Sequence, residues 1–285
     1  MALPLSPQEL GLIVLTFGAA IVNGALGYGF SSITVPVALL FLTNRVLNPA
    51  LVLIEVALNA YVLWVNRASV PAVRARVTPI IIGLLPGVIL GTLVVSRVNP
   101  TWLKFATFIV LLPLILIQAA GFRRPIRRER SVGLIFGGGV GVLYSVTTIS
   151  GPPLAIMLNN QGLAKQEFRA ALGLVRLAES AMTAVAYLYA GLFTAESISL
   201  IPLILPSILI GVPIGTFIIH HVRPETFRRL CMSFDAWIVG FGLSILLQQL
   251  DLVPGAPAFT VLAAVGAIDT VMLYRFFSPA RRTPP

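Results

Sequence analysis

The chain has 285 residues, of which 57% are hydrophobic and 11% charged; soluble domains carry about 25% charge. With a mean hydropathy of +0.95, this excludes a soluble globular domain and places the chain in a bilayer. The formal net charge of +10 rests largely on arginines in short loops between apolar runs. That pattern marks cytoplasmic loops rather than nucleic-acid binding, and its positive field favours anionic partners.

Residues 1–9 lack a basic n-region, so the first apolar run is expected to stay in the fold. A spanning helix needs ~20 apolar residues. The run 10–42 is too long for one ordinary crossing and is interrupted between Gly24 and Pro36. It reads as two helical arms around a break. Gly27 and Gly29 flank Tyr28 in the break and permit positive φ, while Ser31, Ser32 and Thr34 supply hydroxyls. An arm starting near Phe30 would present free N–H groups and a positive dipole end, which suits an anion. Tight packing through small residues is the competing reading. Spanning helices are expected at 49–66, 79–96 and 102–121. Glu55 lies inside the first, with Asn59 four residues on, giving one polar face. Arg123, Arg124, Arg127, Arg128 and Arg130 then crowd one short loop, which is expected in the cytoplasm.

The run 132–160 is broken in the same way between Ser145 and Pro153, just after Tyr144. Gly151-Pro152-Pro153 reads as a helix restart with Ser150 as its N-cap. Thr147 and Thr148 flank that new N-terminus. Spans follow at 170–191, 198–220, 230–249 and 258–276. Arg176 and Glu179 lie inside the first of these, with Ser180 and Thr183 on the same face. Intramembrane charges are expensive and usually paired or functional. Arg176 therefore reads as the counter-charge to an anion and Glu55 or Glu179 as a proton carrier, or else Arg176 forms a structural bridge with one of them. Asp235 and Asp269 read either as proton sites or as simple helix–helix hydrogen bonds. Cys231, the only cysteine, excludes an intrachain disulfide and a cysteine metal cluster. His220 and His221 fall at a helix end, and Asn159-Asn160-Gln161 reads as a turn. No metal-ligand spacing, nucleotide loop, cofactor motif or nucleophile–base set is present.

The chain also repeats itself. Gly87-Val88-x-x-Gly91-Thr92 and its downstream Val98-x-Pro100 return at Gly211, Val212, Gly215, Thr216, Val222 and Pro224, an offset of 124 (211 − 87) with six of eighteen positions identical. Ala50-Leu51 returns as Ala171-Leu172, an offset of 121 (171 − 50), and Arg176 follows Glu55 by the same 121. A tail with Arg275, Arg281 and Arg282 is expected inside. Counting spans back from it makes both broken segments hairpins that enter from opposite sides. The expected architecture is an all-α polytopic transmembrane bundle. Two inverted-topology repeats each hold one broken hairpin and three spanning helices, and one extra helix ends the chain. The division is 1–121 for the first repeat, 122–131 for a basic linker, 132–249 for the second repeat and 250–285 for the last helix and tail. Duplicated halves with interrupted helices are the pattern of secondary transporters, with the substrate near the breaks.

The segment from Gly27 to Pro36, the stretch from Ser150 to Leu154, and Phe168-Arg169-Ala170 resemble the TauE/SafE, or sulfite exporter, family of membrane transporters over nearly the whole chain. Phe30-Ser31-Ser32 and Thr147-Thr148-Ile149-Ser150 stand where the family commonly has richer glycine runs. The resemblance implies transport of sulfite, organosulfonates or related carboxylates. The expected function is alternating-access transport of a small anion bound by Gly27, Tyr28, Gly29, Ser31, Ser32, Thr34, Tyr144, Thr147, Thr148, Ser150, Gly151 and Arg176. No cofactor or nucleic acid is expected, and the partners are the anion, the lipid bilayer and a coupling proton or ion, with a homo-oligomer left open. The expected location is the inner or plasma membrane with a cytoplasmic C-terminus. The rival readings are an anion channel, a carboxylate carrier, a membrane-embedded enzyme and an accessory subunit.

Overall fold

A computed structural model describes residues 6–120, 129–159, 163–218 and 224–278. Of the expected basic loop, Arg123, Arg124, Arg127 and Arg128 lie outside the described residues, as do the turn residues Asn160 and Gln161, His220, His221 and the tail arginines Arg281 and Arg282, while Arg130 falls within a helix that starts at Glu129. The described residues form only helices: α1 (Pro7–Leu26), α2 (Phe30–Ala38), α3 (Asn44–Val65), α4 (Val70–Arg97), α5 (Pro100–Ala119), α6 (Glu129–Thr147), α7 (Gly151–Asn159), α8 (Lys165–Tyr189), α9 (Ala195–Ser199), α10 (Ile201–Ile218), α11 (Pro224–Gln249) and α12 (Thr260–Phe277), with short 3₁₀ turns before α4 and α12. Eight described helical stretches are long and apolar enough to cross a membrane. Helices are the natural solution, because hydrocarbon offers no partner to a free N–H or C=O.

Both interrupted segments are broken helices, as expected, but their arms are unequal. The first arm, α1, has 20 residues and is about 30 Å long, enough by length and composition to cross a membrane by itself. Its start is fixed by a capping box, in which Ser6 N donates to Glu9 Oε2 at 2.7 Å and Glu9 N to Ser6 Oγ at 3.2 Å. The second arms are short. α2 and α7 each have nine residues, and α7 begins 121 residues after α2 (151 − 30). The span expected at 198–220 is divided at Leu200 into α9 and α10.

Glycine decides which helices touch. α4 packs on α6, and α1 packs on α10. A Cβ on Gly87 would lie 2.1 Å from the Gly138 carbonyl oxygen, and one on Gly91 2.8 Å from that of Val142. In the other pair, a Cβ on Gly211 would lie 3.0 Å from the Phe17 carbonyl oxygen, and one on Gly215 1.9 Å from that of Ile21. Gly211 and Gly215 follow Gly87 and Gly91 by 124, while Gly138 and Val142 follow Phe17 and Ile21 by 121. The two seams thus use corresponding residues. Small residues let backbones meet where hydrocarbon supplies no hydrophobic drive. Two apolar crevices, of about 390 and 380 Å³, also correspond: Gly18, Val22, Cys231 and Phe234 line one, and Gly139, Leu143, Thr107 and Val110 the other.

Between these seams α3 packs on α8, and α5 on α11. Arg45 donates to the carbonyls of Val95 at 2.9 Å, Ser96 at 2.8 Å and Val98 at 3.0 Å. It caps the end of α4, so its position is set by a helix terminus.

Gly87→Ala should force α4 and α6 apart and cost about 1–3 kcal/mol, as overpacking does. Gly266→Ala in α12, whose Cβ meets nothing within 4 Å, should be nearly neutral. Thermal unfolding of both variants in detergent tests this.

Candidate functional site

The buried polar face of α3 carries Asn44, Asn48, Glu55 and Asn59, all at most 2% exposed. Residues three, four and seven apart share one side of a helix, and this side meets α8. Arg176, Glu179, Ser180 and Thr183 form the opposing buried face. Glu55 receives three hydrogen bonds there. Ser31 Oγ donates to Oε1 at 2.6 Å, Arg176 Nη2 to Oε1 at 2.8 Å and Tyr144 OH to Oε2 at 2.7 Å. One carboxylate therefore ties α2, α3, α6 and α8 together. A buried ion pair survives desolvation only with such additional donors.

Glu179 is held more loosely. Ser150 Oγ donates to its Oε1, and Arg176 Nε stands 3.9 Å from the same oxygen. Glu179 Oε2 and Arg176 Nε are both buried without a hydrogen-bond partner. The site thus holds two carboxylates on one guanidinium, with one unmet acceptor and one unmet donor. The α8 backbone at Arg176 is also anchored: its carbonyl accepts from Ser180 Oγ at 2.8 Å and Asn59 Nδ2 at 3.4 Å.

The breaks shape the surroundings. Gly27 and Gly29 have φ of 81° and 111°, values open to glycine at little cost. They end α1 and start α2, and no side chain caps the first N–H groups of α2. At the second break Thr148 occupies the same offset from Gly27 (148 − 27 = 121) and also has positive φ, at 56°. Thr147 Oγ1 accepts from Ile149 N at 3.0 Å. Ser150 stands at the N-cap position of α7, its carbonyl accepting from Leu154 N at 3.0 Å, but a cap through its side chain is ruled out because Pro152 and Pro153 offer no N–H; the hydroxyl instead donates to Glu179. The breaks touch each other: a Cβ on Gly151 would lie 3.2 Å from the Tyr28 ring.

Of the residues singled out from the sequence, Ser31, Tyr144, Ser150, Glu55, Arg176 and Glu179 meet in one bonded cluster. Gly27, Tyr28, Gly29, Thr147, Thr148 and Gly151 form its backbone frame. Ser32 and Thr34 are buried in α2, but no hydrogen bond joins either to the charged cluster, and the Thr34 hydroxyl has no partner.

Sequence reasoning missed Asn44, Asn48 and Tyr187. Asn48 Nδ2 donates to the Val146 carbonyl at 2.7 Å and Asn44 Nδ2 to the same oxygen at 3.2 Å, while Tyr187 OH donates to the Ser145 carbonyl. These carbonyls lose helical partners at the break. The spacing of Asn44, Asn48, Glu55 and Asn59 on one helix face was the available signal. Away from this cluster, Asp269 pairs with Arg229 at 2.8 Å and accepts from Trp237 Nε1 at 3.1 Å, which is the helix–helix contact reading.

Comparison with known proteins agrees in class. The family model described as "Sulfite exporter TauE/SafE" matches residues 12–243. The chain is 27% identical over 177 residues to "Probable sulfite/organosulfonate exporter TauE" of Cupriavidus necator, a match covering 60% of this chain and 67% of that protein. No solved structure matches the chain.

Removing one partner of a buried pair leaves a bare charge and costs about 3–5 kcal/mol. Arg176→Met should therefore destabilise the protein by that amount, and adding Glu55→Gln should recover most of it. Unfolding midpoints of the two singles and the double, compared as a cycle, measure the coupling.

Proposed function

The chain belongs to the sulfite exporter TauE/SafE family, so it is a multi-pass membrane transporter and not an enzyme, and we propose that it carries small sulfur oxyanions, sulfite or organosulfonates, by alternating access. The observation that carries this reading is the Arg176–Glu55 pair. It joins corresponding positions of the two halves at 2.8 Å, amid hydroxyls from both broken helices.

Arginine presents a planar fork of donors that suits a tetrahedral or pyramidal oxyanion. In the reading we propose, the anion competes with Glu55 for Arg176. Ser31 and Tyr144, freed from Glu55, then donate to its oxygens, and the uncapped start of α2 adds backbone N–H groups. Loading the anion would leave three negative charges around one guanidinium. Such a cluster is untenable in hydrocarbon, so we assign an accompanying proton to Glu179, whose Oε2 has no partner. Glu55, which holds three donors in the unloaded site, returns to Arg176 when the anion leaves.

Two inverted repeats, divided as 1–121 and 132–249 around a basic linker and followed by a final helix, would supply the two access states. What supports this is the correspondence of the α1–α10 and α4–α6 seams and of the two crevices at offsets of 121 and 124. A cytoplasmic C-terminus is the matching orientation.

Proteoliposomes test the proposal. The expected result is saturable flux of sulfite or isethionate that is stimulated by unlabelled substrate on the far side and driven by a pH gradient. Glu179→Gln should abolish the dependence on the gradient. Flux that neither saturates nor shows trans-stimulation would mean a channel, and exchange of carboxylates alone would move the substrate class.

A further inference from the structure

Asp235 lies near the middle of α11, away from the charged cluster, and is fully buried. Neither of its carboxylate oxygens has a hydrogen-bond partner. Its neighbours on the same helix face, Met232, Ala236 and Val239, belong to one apolar cluster with Phe30 and Ile33 of α2 and Phe108 and Leu111 of α5. At the corresponding place in the first half stands Leu111 (235 − 124 = 111), so the second half has a carboxyl where the first has a core leucine.

Among the described residues, no cation is placed to balance an ionised carboxylate. α11 packs against α1, α2, α5 and α12. These carry Glu9 on α1, Lys104 on α5, and Asp269, Tyr274 and Arg275 on α12, with no titratable group on α2; no ion pair or hydrogen bond joins any of them to Asp235. On α11 itself Arg229 is paired with Asp269, Cys231 stands one turn away, and Glu225 and Arg228 lie ten and seven residues earlier. An isolated buried carboxylate is far more costly than a neutral carboxyl. A metal cation would need several more oxygens, and the surrounding side chains offer carbon.

We infer that Asp235 is a proton-binding site separate from the anion site, occupied in the closed arrangement of α11 against α2 and α5. α2 is the arm that carries Ser31 to Glu55, so a proton held at Asp235 keeps that arm seated, and its loss favours an arrangement that admits water to α11. This site requires no particular substrate and stands or falls independently of the anion assignment.

Infrared difference spectroscopy on the full chain in lipid at neutral pH reads it directly. The expected result is a protonated-carboxyl carbonyl band that disappears in Asp235→Asn. Thermal unfolding gives a second reading. A group that binds its proton more tightly when folded loses stability as pH rises, so the midpoint of Asp235→Asn minus that of the wild type should grow with pH. Asp235→Leu, which copies Leu111, should show the same trend and covers the case in which the asparagine variant fails to fold. A band unchanged by the substitution, or a midpoint difference flat with pH, overturns the proposal.

Discussion

A charge enclosed by hydrocarbon must be neutralised locally, and in this protein that requirement is met chiefly at Glu55. Removing a carboxylate and a guanidinium from water costs several kcal/mol per ion even after relaxation. Their 2.8 Å contact offsets this only because Ser31 and Tyr144 satisfy the remaining lone pairs of the carboxylate. Those donors arrive on α2 and α6, the helices next to the two breaks. The positions of the broken helices are thus tied to the state of one ion pair, and an anion that takes Arg176 would release both.

The seams around this centre rely on a different force. Glycines on α4 and α10 admit the backbones of α6 and α1, and the gain is van der Waals contact rather than desolvation. The polar cluster lies on the α3–α8 contact between the two seams. A bundle with glycine seams outside and one charged latch inside suits rigid halves that rock about a central site.

Much of this was legible in the sequence because it was written twice. The offset of 121 gave Glu55 and Arg176 equivalent positions in the two halves, and the repeated glycine motifs fall where both seams form. The break at Gly27–Gly29 followed from the tolerance of glycine for positive φ. The partner choices were not legible. Ser150 stands just before α7, yet its hydroxyl donates to Glu179, and Pro152 and Pro153, at the second and third helical positions, have no N–H for it to accept. Asn44, Asn48 and Arg45 serve carbonyls about 50 to 100 residues away, and no periodicity encodes such a distance. The unequal lengths of the two arms were not legible either, since run length does not show where in a run the break falls.

The most direct test of the central claim is a structure of the protein with isethionate or sulfite bound. The oxyanion is expected within hydrogen-bonding distance of the Arg176 guanidinium and of Ser31 or Tyr144, with Glu55 moved out of contact with Arg176. An anion bound elsewhere with the Glu55–Arg176 pair intact would contradict it.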